Sequence, residues 1–348
     1  MTLIEELSKE LKNINTNNSK TTSKFLVFKR KEGTIKKELV QENVKKIISK
    51  TIENNKLAFI DGGNSTILES NDLLVCLIRV AGDIYKGKKR EEIIRKEFFV
   101  IIKNRGEEIE IKLIQEEEIG EELKLELCLN QIPIDDEELK INNTIELSTI
   151  MNLCRYILEI NLSKLILEKK KADYIIRDGN LMPNNSYELA ALKKLDLKKV
   201  MAISKTHSLV DEEGNNINPK LMGLIKDKGF FEIMSNEDLN GLKEINCSVC
   251  KFNDKSKYLF KIDSGISKKE NKEKITELEL INHLSSLSND PLFLGYPYPL
   301  VEVDELARVS NQEISLLKTK LAYNLGKNWD SFEMMTKSRD AHKVLDNK

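Results

Sequence analysis

The chain has 348 residues, of which 40% are hydrophobic and 32% are charged, and its formal net charge is −1. Such a composition is typical of a globular protein with a strongly charged surface. The balanced charge excludes a global electrostatic attraction to nucleic acid, although a basic groove can still form locally. No apolar run approaches the roughly 20 residues of a membrane-spanning helix, and the five cysteines lack the spacing of a disulfide framework. We therefore expect a cytoplasmic protein without a membrane segment.

The N-terminal region is predicted to form a helical arm. Residues 1–50 contain 12 Lys and Arg against 6 Asp and Glu. The simpler interpretation of this positive charge is a solvated helix, and the alternative is contact with a phosphate backbone. The spacing from Val40 to Lys56 is also helical. We expect three segments, namely the arm at 1–50, one main domain at 51–325 and a charged tail at 326–348.

The most informative stretch is LAFIDGGNS at 57–65. Its apolar run predicts a buried strand that ends at Asp61, and Gly62 and Gly63 would let the backbone turn sharply there. A carboxylate at the end of a buried strand is costly unless it is paired or binds a metal. The alternative is that Asp61 only caps the turn.

The middle of the chain alternates between strand and helix patterns. Residues 72–85 contain an apolar run that predicts a strand beside the first, and residues 97–129 alternate apolar and charged side chains, as strands with one wet face do. The periodicity becomes helical at 143–170. Arg155 and Glu159 are four residues apart and share a face of this helix, where the simplest interpretation is a surface ion pair.

A second strand ends in the same way as the first. The segment DYIIRDGNL at 173–181 is again an apolar run followed by Asp178 and a glycine. Two strands of this kind can bring their carboxylates to one edge of a sheet. After a helix at 186–195, a further strand at 200–204 leads directly to Lys205.

The C-terminal part contains GYPYPLVEVDELARVS at 295–310. Its two prolines delay regular helix until the chain has passed them. The helix that follows carries Asp304.

Four carboxylates at strand ends and on helices are the ligands that a pair of divalent metal ions requires. They are Asp61, Glu159, Asp178 and Asp304. Oxygen ligands favour Mg²⁺ or Mn²⁺ over zinc, and two such ions can activate water and stabilise the leaving oxygen in phosphodiester cleavage. Lys205 can hold a phosphate, and Tyr296 and Tyr298 can stack on unpaired bases.

These segments resemble the NurA family of DNA end-processing nucleases, which work with the hexameric ATPase HerA. The matching pieces are IDGGNST at 60–66, RYILE at 155–159, IIRDGNL at 175–181, AISKT at 202–206 and GYPYPLVEVDELARVS at 295–310. Each piece is weak alone, but five in the family's order form a fairly specific signal.

The resemblance implies an α/β fold, with an RNase H-like core in which a central mixed sheet is flanked by helices, and with added strands and the N-terminal helical arm. It makes 51–325 the nuclease domain. It also implies a homodimer with a central channel for DNA above a HerA-type ring, and a role in DNA end resection during double-strand break repair by homologous recombination.

The resemblance further implies Mn²⁺-dependent cleavage of single-stranded DNA and 5′-to-3′ exonuclease activity, with two ions bound and Mg²⁺ as an alternative metal. Carried over by motif, the metal ligands are Asp61, Glu159 and Asp178, joined by Asp304 at a position where some relatives have histidine. Lys205 and Tyr296 match residues implicated in activity. Arg155 and Tyr298 are expected to contact DNA.

Two other functions are compatible with the same residues. In a sugar-kinase or actin-like ATPase, an Asp-Gly turn such as the one predicted at Asp61 binds a phosphate, but that fold needs further glycine-rich loops and the chain has only 15 glycines and no second GG. An inactive scaffold on a nuclease fold is the other alternative. The presence of Asp61, Glu159, Asp178 and Lys205 argues against it, because unpaired buried carboxylates are a liability.

Overall fold

The computed structural model describes residues 4–9, 12, 24–31, 33–115, 125–207, 209–269, 274–332 and 334. Its strands are β1 (Phe25–Arg30), β2 (Gly33–Glu38), β3 (Val44–Lys46), β4 (Lys56–Glu69), β5 (Leu73–Lys86), β6 (Lys89–Asn104), β7 (Glu108–Ile114), β8 (Gln131–Pro133), β9 (Tyr174–Asp178), β10 (Val200–Ser204), β11 (Val210–Asp211), β12 (Gly229–Leu239), β13 (Leu242–Lys251) and β14 (Phe260–Ser264). Its helices are α1 (Leu147–Glu168), α2 (Ser186–Leu192), α3 (Asn218–Leu224), α4 (Glu277–Ser286), α5 (Tyr298–Ala307) and α6 (Asn311–Leu325).

An eleven-stranded mixed sheet forms the centre of the described part of the chain, in the order β3-β12-β13-β14-β10-β9-β4-β5-β6-β7-β8. β4, β5 and β6 are antiparallel neighbours, whereas β9 runs parallel to β4 and β10 runs parallel to β9. Parallel neighbours need a crossover connection, which α1 and α2 provide. An antiparallel triplet followed by two parallel strands beside its first member is the strand order of the RNase H fold. The predicted fold class is confirmed.

The sheet has a hydrophobic core on each face because successive strand side chains point to opposite sides. Ala58 and Ile60 of β4 pack in the core that contains α1. Leu57 and Phe59 pack in the core that contains α4 and α5. We call these two sides the α1 face and the α5 face. Burying one large apolar side chain contributes about 1.5–3 kcal/mol, so both helix layers are held firmly against the sheet.

Strand β4 does not end at Asp61, as the sequence had suggested. It continues to Glu69, and Asp61, Gly62 and Gly63 pair with β5 in unbroken register. The two glycines are needed for close packing. A Cβ on Gly62 would stand 2.5 Å from Oε1 of Glu159, and one on Gly63 would overlap the backbone of α5.

The prediction of helix from Val40 to Lys56 is wrong. This segment contains a short 3₁₀ turn and strand β3, which pairs with β12 at the edge of the large sheet. Upstream, residues 4–9 are helical, while β1, β2 and β11 form a separate three-stranded sheet. Pairing between distant segments has overridden a weak local periodicity. Of the predicted tail, residue 333 and residues 335–348 lie outside the described residues.

The other predicted elements agree with the structure, with one exception. The helix at 143–170, the strands at 173–178 and 200–204 and the helix carrying Asp304 are present as α1, β9, β10 and α5. Residues 125–130, predicted as strand, are not in one. No helix in the described ranges combines the length and the apolar character needed to span a bilayer.

Candidate metal centre

Three carboxylates converge on the α5 face of the sheet. Asp61 lies in the middle of β4, Asp178 ends β9, and Asp304 lies on α5, which packs across β4 and β5. One oxygen from each lies within 4.8 Å of the others. Because β4 and β9 are parallel neighbours, their acidic side chains reach the same position from adjacent strands, and the helix supplies the third from above.

Asp61 is the most buried of the three carboxylates. It is only 9% exposed, and its Oδ1 accepts a hydrogen bond of 2.8 Å from the Gly62 amide. Burial raises its pKa to about 8, with further contributions from the charges of Glu159 and Asp178. A dehydrated site with this much negative charge attracts a cation.

Lys205 neutralises part of that charge. Its Nζ lies 2.6 Å from Oδ2 of Asp178 and 3.2 Å from Oδ1 of Asp304. Burial opposes the ammonium form, but the two carboxylates outweigh it, and the pKa of Lys205 is raised. For Asp304, burial is likewise outweighed by the nearby cations, and its pKa is lowered. The side chain of Lys205 is 37% exposed, so it also faces the solvent from which a substrate would arrive.

Tyr296 lies beneath the lysine. Its ring is fully buried, and Nζ of Lys205 is 5.2 Å from the ring centre, a cation–π distance. Burial and the charge of Asp178 raise the pKa of the Tyr296 hydroxyl well above its usual value. No group in the described ranges offers this hydroxyl a well-formed hydrogen bond. The tyrosine therefore stays neutral, and its buried ring packs against Lys205 and Asp178.

Glu159 reaches this region from the opposite side of the sheet. It lies on α1, is 2% exposed, and its Oε2 accepts a hydrogen bond of 2.7 Å from Nη2 of Arg177. Its Oε1 pairs with Arg155, whose Nη1 also donates to the carbonyl of Gly62 at 3.1 Å. Arg177 and Asp178 are adjacent on β9 and so point to opposite faces. The close group of three carboxylates thus does not include Glu159, which approaches it only across Gly62.

Two charged neighbours of the site were not predicted from the sequence. Arg177 is a fully buried cation within an apolar strand, which is itself a signal, because such a charge needs a buried partner. Arg308 is four residues after Asp304 and pairs with it at 2.9 Å, a spacing visible in the sequence.

Tyr298, which was expected to contact DNA, packs edge-on against Tyr85 with ring centres 5.8 Å apart. Its hydroxyl donates a hydrogen bond of 2.9 Å to the carbonyl of Lys88.

The donor set fits a divalent metal ion. Three carboxylates face one point, and within the described residues only Lys205 and Arg308 form ion pairs with them. Asp61 forms no ion pair with the described residues. Its pKa is raised because burial and the neighbouring carboxylates disfavour the charged form and no cation offsets them. All three donors are hard oxygens, which suit Mg²⁺ or Mn²⁺.

Residues 55–211 match a family model described as the NurA domain. The resemblance to the NurA family, which the sequence motifs had indicated, is confirmed over this range. The matched segment contains Asp61, Glu159, Asp178 and Lys205, whereas Tyr296 and Asp304 lie beyond it in the chain.

Solved structures with partial likeness to this chain include the catalytic domain of human Endonuclease V, with 11% identity, 82% of this chain and 93% of that chain covered, and a TM-score of 0.35. Endonuclease V from Bacillus subtilis has 13% identity, covers 82% and 90%, and has a TM-score of 0.35. A. aeolicus Argonaute has 12% identity, covers 76% and 30%, and has a TM-score of 0.33. No curated protein sequence matches the chain.

Proposed function

We propose that the protein is a metal-dependent DNA nuclease that hydrolyses phosphodiester bonds at the group formed by Asp61, Asp178 and Asp304. The observation that carries this proposal is the convergence of these carboxylates from two strands and a helix to within 4.8 Å, beside a partly exposed lysine. A divalent ion bound there supplies charge neutralisation at the phosphate and lowers the pKa of water.

The protein's own residues divide the remaining work. Asp61, Asp178 and Asp304 hold the metal, and Lys205 contacts a non-bridging phosphate oxygen, where an ammonium stabilises developing negative charge. Tyr296 fixes the position of Lys205 from below. Arg155, whose side chain is 30% exposed on the α1 face, and Tyr298, which can stack on an unpaired base, are proposed to contact DNA outside the carboxylate group.

We propose Mn²⁺ as the working metal, with Mg²⁺ as an alternative, and a second ion that also uses Glu159. Glu159 lies against Gly62, one residue from Asp61, which supports a ligand role. Its two arginine partners must then share it with the ion. Arg155 is the more exposed of the two and is the one that can turn away.

The NurA domain supports a wider role. We propose cleavage of single-stranded DNA and 5′-to-3′ degradation of duplex ends for end resection in recombinational repair in the cytoplasm. The proposed partners are DNA, a HerA-type hexameric ATPase and a second copy of the chain.

The ATPase alternative has less support. Residues Asp61 to Thr66 belong to a continuous strand paired with β5, so the sharp turn that would bind a phosphate is not formed. The scaffold alternative differs from the nuclease only in activity, which an assay decides.

The deciding experiment is cleavage of an end-labelled single-stranded oligonucleotide with Mn²⁺, Mg²⁺ or EDTA. We expect metal-dependent cutting by the parent protein and none by Asp61→Asn or Asp178→Asn, with both variants folded. Asp227→Asn is the matched control and should cut like the parent, because Asp227 is exposed and precedes β12, which three strands separate from β9. Equal cutting by all proteins would contradict the assignment of the metal ligands.

A further inference from the structure

An aromatic side chain that the proposed chemistry does not use is exposed beside the metal centre. Tyr258 lies in the loop between β13 and β14, and 56% of the residue is exposed. Its ring stacks on Phe293, with the ring centres 5.5 Å apart and the planes inclined by 23°. One face of the Tyr258 ring therefore packs against the protein, while more than half of the residue remains open to a ligand.

Two side chains connect Tyr258 to Lys205. Phe293 packs edge-on against Tyr296 with ring centres 5.4 Å apart, and Nζ of Lys205 lies 5.2 Å from the centre of the Tyr296 ring. Tyr296 belongs to the core on the α5 face, and Phe293 packs against that core. The exposed ring thus lies on the side of the sheet that carries the three carboxylates, a short distance beyond the lysine.

The loop that carries Tyr258 is fixed by the loop between α4 and α5. Oγ of Ser256 accepts a hydrogen bond of 3.1 Å from the Tyr258 amide, and a Cβ on Gly295 would stand only 2.3 Å from the same Oγ. Nδ2 of Asn253 donates a hydrogen bond of 2.8 Å to Oδ1 of Asn289. A ring held in this way loses little conformational freedom when a ligand packs on it, which favours binding.

The same loop carries positive charge. Lys255 and Lys257 are exposed, and neither forms an ion pair with a described residue. Oδ1 of Asp254, the acidic residue of the loop, accepts a hydrogen bond of 2.7 Å from the Lys228 amide. An exposed aromatic ring between cations suits single-stranded nucleic acid, because bases stack on the ring and the cations contact the phosphate backbone.

We propose that Tyr258 is a stacking platform for an unpaired base of single-stranded DNA, within a few nucleotides of the scissile phosphate, and that Lys255 and Lys257 contact the backbone there. Tyr296, which the sequence had suggested for stacking, is fully buried, so Tyr258 takes that role at the exposed end of the same series of rings. The inference rests on the proposed nuclease function. It adds a means of selecting single strands, because the bases of a duplex are already stacked on one another.

The first test measures binding without cleavage. Fluorescein-labelled single-stranded DNA and a duplex of the same sequence are titrated with the full-length protein in EDTA, and fluorescence anisotropy gives Kd. Tyr258→Ala should weaken single-strand binding about tenfold, as loss of one base–aromatic stack does, and should leave duplex binding unchanged. Tyr258→Trp keeps a flat ring and should bind at least as tightly as the parent.

Tyr323→Ala is the matched control for the binding test. Tyr323 is 87% exposed on α6, and its removal should leave both affinities unchanged. Equal single-strand affinities of the parent and Tyr258→Ala, or no binding of single strands by the parent, would overturn the proposal. A loss of the same size for the duplex would also overturn it, because Tyr258 would then not select unpaired bases.

Salt dependence separates the ring from the lysines. Each lysine that contacts a phosphate of a single strand contributes about 0.7 to the slope of log Kd against log salt concentration. Replacing Lys255 and Lys257 together by glutamine should reduce that slope, whereas Tyr258→Ala should leave it unchanged. An unchanged slope in the double variant would contradict the placement of the lysines on the backbone.

The last test locates the stacked base relative to the cleaved bond. A single abasic site is moved along an otherwise uniform oligonucleotide whose cleavage position is known. For the parent, one position near the cleaved bond should lower kcat/KM about tenfold. This penalty should vanish in Tyr258→Ala and persist in Tyr258→Trp, and a full penalty in Tyr258→Ala would overturn the platform. A parent that binds single strands through Tyr258 but cuts none with any metal would contradict the nuclease proposal alone.

Discussion

Gly63 of β4 lies directly against the carbonyl of Ala307 at the end of α5, so closely that a Cβ on the glycine would overlap the carbonyl oxygen. Asp304 is one turn earlier on the same helix, and Asp61 is two residues earlier on the same strand. The missing side chain at Gly63 therefore sets the separation between the strand and the helix, and with it the distance between two of the carboxylates.

Gly63→Ala should therefore damage the metal centre although it removes no ligand. Because the clash is with backbone, α5 must move away from β4, and a misplacement of about 1 Å can cost on the order of 100-fold in rate. We expect metal affinity and cleavage to fall together, measured by Mn²⁺ titration and by the oligonucleotide assay.

Gly223→Ala is the control for this substitution. Gly223 lies in α3 and a Cβ there would meet nothing within 4 Å. Alanine is favoured over glycine in a helix by about 0.5–1 kcal/mol, so this variant should be active and slightly more stable. If Gly63→Ala bound and cut like Gly223→Ala, spacing between β4 and α5 would not control the site.

The sequence was enough to predict most of the strands and helices after residue 56, and the proximity of Asp61 and Asp178, because both follow apolar runs that are typical of neighbouring buried strands. The role of Gly62 and Gly63 was not predictable. A glycine pair looks the same whether it forms a turn or admits a close neighbour, and the neighbours here come from residues about 100 and 240 positions away.

The side of the sheet on which Glu159 lies was also hidden in the sequence. Adjacent residues of β9 point to opposite faces of the sheet, so Arg177 and Asp178 must lie on different sides. Only the packing of α1 decides which face receives which residue. The helix prediction for Val40–Lys56 was wrong for a related reason, because β3 forms through its pairing with the distant strand β12.

Glu159→Gln should lower stability more than any exposed change of the same kind. Arg177 and Glu159 are each 2% exposed, and breaking a buried ion pair leaves an uncompensated charge at a cost of about 3–5 kcal/mol. Urea unfolding of the metal-free protein should show a loss of this size. Glu168→Gln is the control, because Glu168 pairs with Lys164 on the surface of the same helix, where such pairs contribute under about 1 kcal/mol.

A small loss in Glu159→Gln, together with weaker metal binding, would instead identify Glu159 mainly as a ligand. A large loss with unchanged metal affinity would restrict it to holding Arg177. The two measurements made on one variant therefore separate the roles that sequence similarity and structure suggest.

The burial of Glu277, which is not one of the metal-centre residues, predicts that the stability of the protein depends on pH. It is 4% exposed at the start of α4, and burial raises its pKa from 4.5 to about 7, against the opposing charge of Lys268. Between these two values the native state binds a proton that the unfolded state has lost, so stability falls as pH rises from about 4.5 to 7 and is then constant.

Glu277→Gln should therefore stabilise the protein at pH 8, by up to about 3 kcal/mol for a shift of this size, and should have little effect at pH 4.5. The measurement is the unfolding free energy of parent and variant at both pH values. Glu305→Gln, at an exposed position on α5, should show no such difference between them. An equal effect of Glu277→Gln at both pH values would mean that the pKa of Glu277 is the same in the native and the unfolded protein.

Lys205→Met should slow turnover more than it weakens metal binding. The ammonium lies 2.6 Å from Asp178 and 3.2 Å from Asp304, so its removal takes away a competing cation as well as a phosphate contact. We expect kcat to fall by about 10²–10³-fold, as loss of one group that stabilises transition-state charge does, with Mn²⁺ affinity unchanged or increased. Lys198→Met removes an exposed lysine paired with Glu244 and should leave both quantities unchanged. A parent-like kcat in Lys205→Met would return Lys205 to the role of a structural counter-ion for Asp178.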